Sequence, residues 1–210
     1  MAFTLTTATT QVRALLNEAS AYFWTDAEIQ AWIQQGCIDW SEKTLGIIKE
    51  DTITLATSTY KYSTSTNDYI DNAIQCLYAE YNSKALQRVT LNQMRGHNQT
   101  ALASDSYPKY YYDTYDGLTY KLFIGPTPSA TYNTETMTVL FAVRTDDITE
   151  IPYEYQQTIF LYAAAKAHAK DRQFGDSKLM WQQYINNLSF SRVDRIAVDA
   201  QTPLETFRIK

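Results

Sequence analysis

Phe23-Trp24-Thr25-Asp26-Ala27-Glu28-Ile29-Gln30-Ala31-Trp32-Ile33 settles how the N-terminal part of the chain is built. Thr25 followed three residues later by Glu28 is a capping box. The threonine hydroxyl accepts from the residue 28 N–H while the glutamate reaches back to the N–H of residue 25. Phe23 or Trp24 is placed to act as the hydrophobic staple. Beyond the box, Ile29, Trp32, Ile33, Cys37, Trp40 and Thr44 make a continuous stripe at helical spacing, and Gly46 is placed to end it. Upstream, Val12, Leu15, Leu16 and Ala19 recur at i, i+3, i+4 and i+7, which predicts a shorter helix over 10–20 after a Thr-rich, extended start at 1–9. A connection this short lays the two helices side by side.

The period changes at Asp51. Thr52–Leu55 and Thr59–Tyr62 alternate as strands do, residues 63–68 form a Ser/Thr/Asn loop, and Ala73–Tyr81 is a longer strand. Asn82-Ser83-Lys84 turns the chain, and 85–89 is expected to return as the hairpin partner. Thr90 caps one or two helical turns to Arg95, and 96–107 reads as irregular. A Tyr-rich strand at 109–113 is answered across Asp116-Gly117 by Leu118–Ile124. Gly125-Pro126-Thr127-Pro128 then breaks the pattern, and Met137–Val143 is the last strand.

Helical spacing returns after Ile151-Pro152, where a proline suits a helix start. Tyr155, Ile159, Tyr162, Ala163 and Ala167 share a face, and the Ala-rich run 163–169 lets a neighbour approach closely. Past Gly175-Asp176 a further helix is predicted over 176–196, with Trp181, Ile185 and Leu188 as its apolar stripe. Residues 198–210 include Pro203 and no periodicity. The expected fold class is α+β: an antiparallel helical bundle from both chain ends, an antiparallel β-rich insertion and an extended C-terminal tail. The corresponding segments are 1–50, 51–148, 149–198 and 199–210, one folded unit with an insertion.

Composition narrows the function. At 210 residues the chain is long enough to bury a core without metals or disulfides. Eighteen basic against 23 acidic residues leave a net charge of −5, which argues against a protein that coats DNA. Tyrosine is abundant at 17 residues; such rings suit surfaces that are wet in one state and covered in another, and equally suit packing across strands. Cys37 and Cys76 are too few and too far apart for a disulfide framework or a metal half-site. No basic-plus-apolar leader and no apolar run of about 18 residues occurs, so the expectation is a soluble protein made in a cytoplasm.

Signatures of catalysis are missing. No phosphate-binding glycine loop, nucleophile elbow or H-E-x-x-H is present. His168 with Asp171 at i+3 reads as a surface pair, and His97 as a loop residue. Asp146-Asp147, Asp113 with Asp116, and Glu18 with Glu28 are the carboxylates that could serve as acid/base pairs. Turn, cap and helix-surface roles account for them better. Arg192 and Arg195 suit a helix C-terminus, while Arg208 and Lys210 make the tail mildly basic. The expectation is no enzyme, no cofactor and no metal. A carboxylate-dependent cell-wall hydrolase and a carbohydrate-binding β-domain are the less favoured readings.

Three stretches together resemble the head-to-tail adaptor proteins of tailed bacteriophages, also called connector or head-completion proteins. They are Val12–Glu18 followed by Phe23–Ile33; Tyr107–Tyr111 with Leu122–Pro128; and Ile151–Ile159 continuing into Tyr162–Ala165. They occur in the family's order and span residues 10–175. The insertion is larger and richer in tyrosine than in the all-helical members. The resemblance implies a structural virion protein forming a ring, commonly of twelve copies, beneath the portal protein. That ring would bridge the portal to a downstream tail, nozzle or stopper protein and line the DNA channel without sequence-specific binding. It further implies a virion location at the head–tail junction after assembly in the host cytoplasm, with no membrane partner. By position, Pro203, Leu204, Phe207, Arg208 and Ile209 would dock on the portal, and Tyr110, Tyr111, Tyr112 and Tyr115 would lie at a subunit interface. Another neck or tail-completion component is the alternative.

Overall fold

The computed structural model describes residues 3–18, 20–100 and 107–201, and the fold is α+β. The chain divides into a helical unit, residues 1–46 with 145–210, and a β unit, residues 47–144.

In the helical unit, α1 runs over Leu5–Leu15, five residues earlier than the spacing predicts. The Thr-rich start is not extended. The Thr4 hydroxyl accepts from the Thr7 N–H at 3.3 Å, and the Thr9 and Thr10 hydroxyls donate to carbonyls one turn back at 2.8 and 3.3 Å. Those internal bonds absorb the threonines into the helix. α2, Asp26–Thr44, starts on the complete capping box: the Glu28 N–H donates to the Thr25 hydroxyl at 3.3 Å, and the Thr25 N–H donates to Glu28 at 3.0 Å. Trp24, directly before the cap, is buried, whereas Phe23 is exposed. Leu45, not Gly46, takes the left-handed position that ends α2 (φ 54°). Gly46 answers a steric demand instead, since a Cβ there would lie 2.1 Å from the Trp40 ring.

The later helices are α4, Tyr153–Lys170, and α5, Phe174–Gln201, with α3 belonging to the β unit. α2 meets α4 at Gly36, where a Cβ would stand 3.0 Å from Ile159 and 3.1 Å from Tyr162. Gln156 is fully buried. Its amide donates to the Ile148 and Ile151 carbonyls at 2.9 and 2.8 Å, and its oxygen accepts from the Phe3 N–H at 3.0 Å. α5 lies on the Ala-rich stretch of α4, with the Ser177 hydroxyl donating to the Ala165 carbonyl at 2.9 Å. Two expectations for α5 are corrected. It continues through residues 199–201, which are helical rather than extended, and its buried large side chain is Tyr184 rather than Trp181 or Ile185. Buried Tyr184 donates its hydroxyl to Asp39 on α2, which leaves the predicted stripe at the edge of the packed face: Trp181 still rests on Tyr162 at 5.5 Å, while Ile185 is 36% exposed.

Among the described residues the β unit holds two four-stranded sheets. β1 (Ile48–Thr54), β8 (Thr136–Val143), β3 (Ala73–Tyr81) and β4 (Lys84–Ala85) make the first in that order, all antiparallel. β1 therefore begins before the predicted switch at Asp51. The second has the order β2 (Lys61–Tyr62), β7 (Thr119–Gly125), β6 (Tyr110–Asp116), β5 (Gln87–Arg88), with β5 parallel to β6. The predicted hairpin over 85–89 is thus divided. After Leu86, whose N–H still donates to the Ala79 carbonyl at 2.8 Å, the chain leaves β3, and Gln87–Arg88 joins the other sheet. Asn82 and Ser83 both have positive φ, 50° and 58°, the geometry of a tight two-residue hairpin loop. The helical turns predicted from Thr90 to Arg95 form and run on as α3 (Leu91–Thr100), so residues 96–100 are helical and not irregular. A second capping box starts it: the Gln93 N–H donates to the Thr90 hydroxyl and the Thr90 N–H to Gln93. Cys76, Ile53, Leu122, Ile124, Met137 and Phe141 are in the core of this unit.

Candidate functional site

The Tyr-rich strand has a specific task. β3 pairs with β8 irregularly, with register shifts between Ala73 and Gln75 and between Cys76 and Tyr78. Such bulges free backbone groups that must find other partners. β6 supplies them from alternate positions. The Tyr111 hydroxyl donates to the Leu77 carbonyl at 3.1 Å, the Tyr115 hydroxyl to the Ala73 carbonyl at 2.7 Å, and Asp113 accepts from the Cys76 N–H at 3.1 Å. Asp113 also accepts from the Tyr120 hydroxyl at 2.8 Å and from Arg88 at 2.8 Å. Tyr111 is only 3% exposed and is enclosed within its own unit. Tyr110 and Tyr112 alternate with it on the strand, and Tyr112 packs against Phe123 at 6.0 Å.

Several other carboxylates are likewise committed. Asp51 is buried and gathers the Ser65 hydroxyl, the Thr52, Asn67 and Tyr69 N–H groups and the Asn67 amide, at 2.5–3.2 Å. Burial opposes its charge, but these donors outweigh burial and hold its carboxyl below the ordinary range. Asp116 pairs with Lys61 at 2.5 Å and sits an odd number of residues from Asp113, so the two point to opposite faces of β6 and do not converge. Asp147 caps a short turn by accepting from the Thr149 N–H at 2.8 Å. Glu28 serves its capping box and pairs with Lys170; these hydrogen bonds, Lys170 first, bring its carboxyl down to about 2.

His168 is 9% exposed and meets Gln173 at 2.9 Å, so the predicted pairing with Asp171 is replaced. Position 97 lies on α3 rather than in a loop. Cys37 and Cys76 are free, buried thiols; burial pushes Cys37 up to about 12 and Cys76 higher still. Among the described residues no group of three His, Cys, Asp or Glu side chains is placed to hold a metal, and no helix is long and apolar enough to cross a membrane. Pro203, Leu204, Phe207, Arg208 and Ile209 lie outside the described residues.

What is displayed is apolar. Arg13, 7% exposed, clamps the loop between α1 and α2 from beneath. Its guanidinium donates to the Trp24 carbonyl at 2.8 Å, to Glu18 at 2.9 Å and to Asp26 at 2.6 and 3.0 Å. Glu18 in turn accepts from the N–H groups of Tyr22 and Phe23 at 2.8 and 2.5 Å. Burial works against the Glu18 charge, yet the Phe23 and Tyr22 N–H groups and then Arg13 keep its carboxyl below the ordinary range. The clamp leaves Tyr22 84% and Phe23 65% exposed, their rings packed edge to face at 5.1 Å. On α5, Phe174, Trp181 and Ile185 are exposed as well. Three successive aromatics ahead of the capping box are the sequence signal for this loop; the role of Arg13 has no local pattern.

Among the described residues, Tyr22, Phe23, Phe174, Trp181 and Ile185 are exposed apolar side chains of the helical unit. The chain matches the SU10 adaptor protein family over residues 3–206, and it belongs to that family of phage head-to-tail adaptors. It is a structural adaptor protein of a bacteriophage. Comparison with curated proteins gives no match.

Proposed function

We propose that the chain forms a closed ring, of twelve copies, under the portal at the head–tail junction, assembled in the host cytoplasm and carried in the virion. The ring bridges the portal to the downstream tail, nozzle or stopper protein and lines the channel through which DNA passes. The family match across nearly the whole chain carries this reading. The net charge of −5 supports it, because affinity for DNA comes mainly from neutralised phosphates and a channel wall must let DNA slide. In this reading the helices of both chain ends form an antiparallel bundle, with the β unit as an insertion in one folded protein. Pro203, Leu204, Phe207, Arg208 and Ile209 dock on the portal. Tyr110 and Tyr112 face a neighbouring subunit, and Tyr111 and Tyr115, whose hydroxyls are spent on the Leu77 and Ala73 carbonyls, hold their strand in place.

Co-expression of the tagged chain with its genomic neighbours, followed by imaging of what co-purifies, tests the proposal. The expected result is a ring bound to a portal-sized oligomer, from which the copy number is read directly. Purification with a tail-side protein and no portal would replace it with a tail-completion role.

A further inference from the structure

We infer that Tyr22 and Phe23 of one copy seat on the outward stripe of α5 in the next copy. The inference rests on the ring reading and names the two surfaces that join neighbours. At 100° per residue, positions 174, 181, 185 and 188 fall within roughly 60° of one another, so Phe174, Trp181, Ile185 and Leu188 make one continuous apolar strip. The first three are 68%, 38% and 36% exposed; Trp181 rests one side of its ring on Tyr162 and Tyr184 of its own chain and presents the remainder. The strip is linear, whereas the loop offers a convex pair of rings.

The loop is pre-organised. Arg13 and Glu18 fix its backbone through a buried ion pair, so seating the rings orders little that is not already ordered. Aromatic side chains held this way are the usual energetic centres of interfaces. Charges match across the contact: Arg13 with Glu18 and the 65% exposed Asp26 carry one net negative charge beside the loop, and exposed Lys178 lies in the same arc as the strip.

Loop and strip belong to the same unit, and both stay exposed, so neither covers the other within one chain. Each copy therefore carries an unfilled donor and an unfilled receiver of different shape. That is the requirement for a head-to-tail contact repeating around a ring, not a two-fold one.

Engineered disulfides test this in the full chain, because Cys37 and Cys76 are buried. Phe23→Cys and Ile185→Cys chains are prepared separately and mixed, both as free protein at high concentration and co-expressed with the genomic neighbours. Under mild oxidation the mixture should give a crossed pair as its main linked product, and a chain carrying both substitutions should give a ladder of linked copies. Both positions are exposed, so unchanged melting temperatures confirm that the variants fold. Self-linking of either single variant as efficient as the crossed product overturns the proposal, as does the absence of crossed product in both settings. Sedimentation and imaging of the unsubstituted chain separate the two ideas. Multimers without crossed links remove the loop-to-α5 seating and leave the ring, whereas no multimers in either setting remove both.

Discussion

Asp51 collects five hydrogen bonds and with them fixes the loop that follows β2. Asp51→Ala would leave those donors facing a void, at a cost of about 3 kcal/mol. Asp51→Asn keeps an acceptor but loses the charge and should cost about half as much. Urea midpoints at unchanged slope check both. The pH dependence has a definite sign. Because the folded carboxyl lies below its ordinary range, its contribution is complete at neutral pH and is lost as pH falls through the folded value. The stability gap between the natural chain and Asp51→Asn should therefore hold down to about pH 4 and close below it. The buried phenols act at the other end of the scale. Burial, followed by Cys76 and Asp113, pushes the Tyr111 hydroxyl up; burial and then Asp113 do the same for Tyr120. Above about pH 10 the unfolded chain ionises these groups while the folded chain keeps them neutral, so stability falls as pH rises. Phenolate absorbance from Tyr111 and Tyr120 should emerge together with loss of the β-sheet circular dichroism, and not ahead of it. Tyr111→Phe, which leaves the Leu77 carbonyl unpaired, should lower stability by about 1 kcal/mol in the same denaturation assay.

At the scale of elements, α2 depends on its start and on its closest approach to α4. Thr25→Ala removes one half of the capping box and should cost about 1 kcal/mol. Gly36→Leu drives a side chain into Ile159 and Tyr162, which already stand 3.0 and 3.1 Å from the Cβ position. It should cost more than the cap and lower protection of α4 amides from hydrogen exchange. The start of α2 was legible because a capping box is a local signal. The start of α1 was not, since threonines read as extended unless Thr4 is recognised as a cap. β3 was legible from its pattern, but the loss of its partner after Leu86 was not, because the pairing of Gln87–Arg88 with β6 depends on a strand more than twenty residues away. The stripe of α5 was found at the right spacing but borders the buried face, which is centred on Tyr184. Spacing identifies a face, but the Tyr184–Asp39 bond determines which face turns inward.

For the molecule as a whole, the chain leaves the helical unit after Gly46 and re-enters it at Thr145. Within that unit the Thr145 N–H donates to the Ser41 hydroxyl at 3.3 Å, and within the β unit the Val143 N–H donates to the Ile47 carbonyl at 2.9 Å. The two crossings therefore run side by side, and adjacent ends of this kind tolerate excision. Replacing 47–144 by a short Gly/Ser linker should leave a chain with the helical circular dichroism expected for α1, α2, α4 and α5; loss of that signal would show that the helices need the insertion to fold. The candidate surfaces were only partly readable beforehand. Tyr110–Tyr115 drew attention by abundance, yet the bulges that consume Tyr111 and Tyr115 arise in another strand. Tyr22 and Phe23 attracted no functional reading because exposure is not written in local sequence. Their mounting carries a further implication. Arg13 and Glu18 grip only main-chain atoms at positions 22–24, so the clamp is indifferent to which side chains stand at 22 and 23. Address and socket are thus separable: a lineage can rewrite the two displayed residues, and with them its choice of neighbour, while the fold that carries them stays as it is.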